Sequence, residues 1–193
     1  MTAALLLTTG LKVADPTAIT ALATLRTRLG FGDILAGLSR EELFLFEVEG
    51  REEAARAAVD GLVRNTNLFL NPNKHWHRLT TAGAEAAAPG AYLLVWTDGD
   101  GEDLREAVRR HTGAAGVAAV RRAWLWSFLP PSGAGAAELI ARLGDGTDRR
   151  NSARGFLAHP AWQESRLYAR RPGVYDVREA LLRPAGGGAP DTP

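Results

Sequence analysis

One stretch of this chain constrains its fold more than any other, because it comes back. Residues Asn65–Leu79 read NTNLFLNPNKHWHRL, and residues Phe156–Leu167 read FLAHPAWQESRL. With a one-residue gap before the proline, Phe69-Leu70 falls on Phe156-Leu157, Pro72 on Pro160 and Arg78-Leu79 on Arg166-Leu167. Each copy leads an apolar run through a proline turn into a short strand. A chain of 193 residues is long enough for two small units. The echo points to one unit written twice.

The first copy reads as β-α-β-β-α-β. Ala4–Thr9 is a short apolar run suited to a buried strand. Asp15-Pro16 then starts a helix: the carboxylate can cap open amides, and proline fits the first helical position. Ile19, Leu22, Leu25 and Leu29 follow at helical spacing, and Gly30 suits a left-handed stop. A hairpin is expected next, with strands over Asp33–Leu38 and Leu43–Glu49 and a polar turn at Ser39–Glu42. In the second of these strands Phe44, Phe46 and Val48 share a face. Arg51–Arg64 alternates as an amphipathic helix. The proline turn and a strand over Lys74–Leu79 close the unit.

Residues 81–90 read as a linker, rich in small residues. The pattern then restarts over 91–171: a strand at Ala91–Thr97, a helix at Glu102–Thr112, a hairpin across Arg121-Arg122, a helix capped by Ser132, and a strand at Gln163–Arg170. The expected fold class is therefore α+β: two ferredoxin-like (βαββαβ) units in tandem, forming a pseudo-dimer. Fusion makes the second copy an intramolecular partner for sheet edges and faces that a lone unit leaves open. Within 172–193 a short helix over Val174–Leu182 precedes a Pro/Gly-rich tail that cannot bury a core and reads as disordered.

Composition narrows the chemistry. The chain is 46% hydrophobic and 23% charged, with net charge +1, so it has a core and no overall pull toward nucleic acid. It has no cysteine, which removes disulfides, thiolate nucleophiles and cysteine zinc sites, and fits a cytoplasmic protein. No run approaches the ~20 apolar residues that cross a bilayer. The N-terminal MTAALLLTTGLK reads as a strand rather than a signal peptide.

Several residues carry a family resemblance. They are Leu11-Lys12-x-x-Asp15-Pro16 after the first strand, Leu29-Gly30-Phe31 after the first helix, Phe46-Glu47-Val48-Glu49-Gly50 at a strand end, and Asn71-Pro72 before the last strand. In order and spacing they resemble the small subunit of phosphoribosylformylglycinamidine synthase, the PurS family, over about Ala4–Leu79. The chain departs from that pattern in length, and in having Ser39-Arg40-Glu41 where the family has Gly-Lys. The resemblance implies a non-catalytic bridging subunit in purine biosynthesis that works by protein–protein interaction. Its implied partners are a glutaminase and a synthetase subunit, with self-association; no cofactor, membrane or nucleic-acid partner is implied. Lys12, Asp15, Asn71 and Pro72 are then the interface candidates in the turns.

Other signals are weaker. His75 and His77 lie two apart on a strand and could hold part of a metal site, but no third ligand is evident beside them. Asp98–Asp103 lacks the closing glutamate of a calcium loop and reads as a turn and helix cap. Trp124, Trp126 and Phe128 alternate on one face; burial is the plain reading, an interface anchored by Trp124 and Trp126 the other. Arg149, Arg150, Arg154, Arg166, Arg170 and Arg171 form a basic run, more simply a solvated face than a site for phosphates, RNA or an acidic partner. No hydrolase elbow, Walker loop or dinucleotide fingerprint occurs. Two alternatives to bridging stay open: a small-molecule-sensing module of tandem units, and a small enzyme using His75 or His77.

Overall fold

A computed structural model describes residues 1–83, 88–112, 116–131, 135–144, 152–159 and 161–182. The first half gives β1 (Thr2–Leu11), α1 (Pro16–Arg28), β2 (Gly37–Glu49), α2 (Glu52–Asn65) and β3 (His75–Thr81). The second gives β4 (Pro89–Trp96), α3 (Glu102–Thr112), β5 (Val117–Leu129), α4 (Ala136–Gly144), α5 (Ala153–Leu157), β6 (Glu164–Arg170) and α6 (Val174–Leu182). The fold is mixed α+β. One six-stranded sheet runs in the order β3-β1-β2-β5-β4-β6, with every neighbouring pair antiparallel.

Local signals explain the first helix. Asp15 accepts from the Thr17 amide, Pro16 opens α1, and Gly30 takes φ +74 just beyond its end. Both expected hairpins are corrected. Ser39–Glu42 is not a turn but the middle of β2, and Arg121-Arg122 is not a turn but the middle of β5. The physical reason is mutual: the two segments pair with each other, Arg40 opposite Trp126 and Leu45 opposite Arg121, so each polar stretch satisfies its backbone along the other strand. Asp33–Leu38 is not a strand as a whole. Residues 32–34 form a turn that sends Phe31, Ile34 and Leu35 into the core, and β2 begins only at Gly37.

The strand registers carry a local two-fold. Leu7 lies between Leu79 and Phe44, and Leu93 lies between Leu167 and Trp126. Laying Leu79 on Leu167, as the sequence echo does, therefore puts Phe44 on Trp126, Glu42 on Trp124 and Arg40 on Arg122. Glu42 and Trp124 are also cross-strand partners, so the axis passes between them. The strand part of the echo holds equivalent places in the two halves. Of its apolar pair, Leu70 and Leu157 are both buried, whereas Phe69 is buried and Phe156 is 46% exposed. Pro160, the echo's proline, lies outside the described residues.

The helices do not respect the division into halves. Helices α1 to α5 cover one face of the sheet over two cores. In one core Ala18, Ala21 and Leu25 of α1 pack with Leu93, Trp126, Phe128 and Leu139 of the second half. In the other, Val108 of α3 packs with Leu5, Phe44 and Phe46 of the first half, where Phe69 sits edge-on to both phenylalanines at 5.1 and 5.0 Å. Each half thus lends its first helix to a core built largely by the other. Among the described residues helix α6 alone of the helices packs on the opposite face, over Leu6, Leu43, Leu45, Leu94 and Leu125.

Candidate functional site

Between the two cores, on the helix-covered face, the central strands turn polar. Arg40 and Glu42 of β2 occupy the row that Phe44 and Phe46 continue as core, and Arg122 and Trp124 of β5 do the same beside Trp126. All four lie at the two-fold. Arg40 Nε donates to Asp15 Oδ2 at 2.9 Å, tying the start of α1 to the sheet. Arg122 Nε donates to Glu42 Oε1 at 2.5 Å. Both guanidiniums also sit on the Trp124 indole, at 4.5 Å for Arg40 and 5.2 Å for Arg122.

The electrostatics are uneven. Burial pushes the Glu42 carboxyl above its ordinary range, and the opposing pull of Arg122, His75 and Arg40 does not cancel it. Its partner is more open, with the Arg122 side chain 37% exposed against 17% for Glu42. A partly desolvated carboxylate held by a reachable guanidinium is an arrangement that an incoming anion can exchange with.

Three of the interface candidates from sequence, Lys12, Asn71 and Pro72, form a separate corner. Lys12 Nζ donates to the Pro72 carbonyl at 2.7 Å, and the Lys12 amide to Lys74 O at 2.9 Å. Asn71 Oδ1 accepts from the Asn73 amide at 3.0 Å, closing the turn. Asp15 belongs to the polar cluster instead. Trp126 is a core residue, 5% exposed, while Trp124 is half-buried and belongs to the cluster.

The histidines diverge. His75 Nδ1 lies 3.1 Å from the amide nitrogen and the carbonyl oxygen of Asn71, so its ring is held against the turn. His77 is exposed. No group of three or more metal-ligating side chains occurs among the described residues.

The basic run has resolved partners at its C-terminal end. Arg166 pairs with Glu179, Arg170 with Asp176 and Arg171 with Glu41. Arg154 bonds Ser165. Arg149 and Arg150 lie outside the described residues.

Arg40, Glu42 and Arg122 were missed in the sequence. The usable signal was period two: Leu38, Arg40, Glu42, Phe44 and Phe46 fall on one face once 37–49 is read as a single strand, which sets two charges on a core row.

Compared with protein-family models, with curated proteins and with solved structures, the chain matches none. Among the described residues no helix is long and apolar enough to cross a membrane.

Proposed function

We propose that this chain is a non-catalytic binding module that holds a small anionic molecule, a carboxylate or phosphate, on its internal two-fold. One observation carries the reading: two guanidiniums related by the two-fold converge on one indole, beside a carboxylate that burial penalises. An anion entering at Arg122 would displace Glu42, which can accept a proton or turn to water. The module is a tandem of ferredoxin-like units, each short of its second strand. The place such a strand would fill beside β2 is taken by β5, and the reverse. The polar row between the copies favours a sensing role, since what it offers a ligand is guanidinium, carboxylate and indole.

The test is a thermal-shift screen against amino acids, other carboxylates and nucleotides, followed by Trp fluorescence titration of any hit. Arg122→Ala should weaken the hit at least tenfold while leaving far-UV circular dichroism unchanged. Hits that bind Arg122→Ala and Arg40→Ala as well as the parent would place the site elsewhere.

A second reading is the PurS-like bridging subunit of purine biosynthesis. Lys12 and Pro72, which carry the resemblance, meet in one corner beside β3, an outermost strand exposing His77 and Arg78. Co-purification of a glutaminase or synthetase subunit, lost in Lys12→Glu, would support it; a chain recovered alone from its native lysate would count against it. A small enzyme working through His75 or His77 has least support, since the His75 ring is engaged by the Asn71 backbone.

A further inference from the structure

Among the described residues helix α6 has no counterpart in the first half. After β3 the chain turns at Ala82 and Gly83, whereas after β6 it passes Pro172 and Gly173 into a nine-residue helix. Among the described residues that helix is the one helix packed on the second face of the sheet. Beneath it lie Leu6, Leu43, Leu45, Leu94, Ala123 and Leu125, each no more than 2% exposed while α6 is in place. This patch straddles the two-fold, for the same superposition of strands lays Leu43 on Leu125. A lone helix across such an axis cannot obey it. A second sheet related by two-fold symmetry can.

The attachment of α6 is ionic at its margins. Arg178 donates to Glu47 Oε1 at 2.8 and 3.0 Å, Arg170 grips Asp176 with two bonds of 2.9 Å, and Arg166 reaches Glu179 at 3.5 Å. Arg171 meets Glu41 at 2.5 Å just before the helix starts. Its apolar contribution is four small to medium side chains, Val174, Val177, Ala180 and Leu181. A helix this short is marginal away from its seat, and partly exposed ion pairs weaken with salt.

We infer that α6 is a built-in cap occupying the sheet face on which a second copy of this chain would pack, so that dislodging it converts the chain into a face-to-face dimer. The inference is independent of any ligand at the two-fold on the other face. A bare apolar patch at the centre of a sheet is a self-complementary surface, and two-fold pairing is its ordinary outcome.

The test uses the full chain with Val177→Asp, which sets a charge against the leucines, and a peptide spanning residues 172–182. By sedimentation velocity the variant should have twice the mass of the unaltered chain, with amide protection of β2 and β5 retained. Adding the peptide in excess should return it to the parent mass. A variant that keeps the parent mass and its β2 and β5 protection overturns the inference. So does one that loses that protection, because α6 would then be part of the core rather than a cover. A second variant, Glu47→Lys, should shift the mass in the same direction and be restored by Arg178→Glu in the double mutant.

Discussion

Arg40 and Arg122 meet the same indole from neighbouring strands, 4.5 and 5.2 Å from the Trp124 ring centre. They are also equivalents under the local two-fold. Yet their carboxylate partners are not equivalent: Arg40 takes Asp15 from the start of α1, and Arg122 takes Glu42 from the facing strand. The symmetry breaks at the axis itself, where Glu42 stands against Trp124.

That break has a pH signature. Burial raises the Glu42 carboxyl, so between its ordinary value of 4.5 and its folded value the native chain holds a proton that the unfolded chain has released. Stability from this group is therefore greatest below the ordinary value and falls as pH rises through that window. Glu42→Gln should flatten this part of the thermal midpoint against pH. Near neutrality it should be no less stable than the parent, because Arg122 is open enough to be solvated. An unchanged slope would show that Glu42 is not the group titrating.

The core over the first half rests on Phe46, which is fully buried and edge-on to Phe69 at 5.0 Å. Phe46→Ala removes a large apolar side chain from both β2 and the α2 seat. We expect a loss of about 3–5 kcal/mol in urea unfolding, with the slope against denaturant retained.

Two glycines should respond in opposite directions. Gly101 has φ +117, and a Cβ there would stand 2.3 Å from the Val120 carbonyl oxygen. Gly101→Ala must shift backbone and should cost at least about 1–3 kcal/mol. Gly61 lies inside α2 with nothing within 4 Å of an added Cβ. Gly61→Ala should stabilise by about 0.5–1 kcal/mol. Thermal midpoints that move the same way in both variants would contradict this account.

The interleaved cores predict that neither half stands alone. Residues 1–83 would lack the surface that buries Ala18, Ala21 and Leu25, and residues 88–182 would lack the one that buries Val108. Expressed separately, each should give a collapsed amide spectrum, with dispersion returning on mixing. Two independently folded halves would refute the interleaving.

Much of this architecture was legible in the chain. The helix start at Asp15-Pro16, the amphipathic α2 and the α+β class follow from capping chemistry and from periodicity, which act locally. The two long unbroken strands β2 and β5 were not legible, because Ser39–Glu42 and Arg121-Arg122 carry turn-like polarity that only a partner strand distant in sequence can absorb. Reading a turn there hid the fact that Arg40 and Glu42 sit on a core row, and with it the polar cluster. Lys12, Asn71 and Pro72 were singled out as separate turn residues by resemblance; that Lys12 reaches the Pro72 carbonyl depends on the pairing of β1 with β3. What Trp124 would touch depended on a register that no local signal encodes.

The crossing of α1 into the second half's core has a consequence for how the chain is made. Synthesis delivers α1 and the Phe31–Leu35 turn long before Trp126 and Phe128, which must bury them. At about 5–20 residues per second this leaves Leu25, Phe31 and Leu35 without their seat for roughly 5–20 s on the ribosome. During that interval the emerging first half is a client for any holdase that grips short apolar segments. The last strand to pair, rather than the first domain to close, decides when the nascent protein stops being vulnerable.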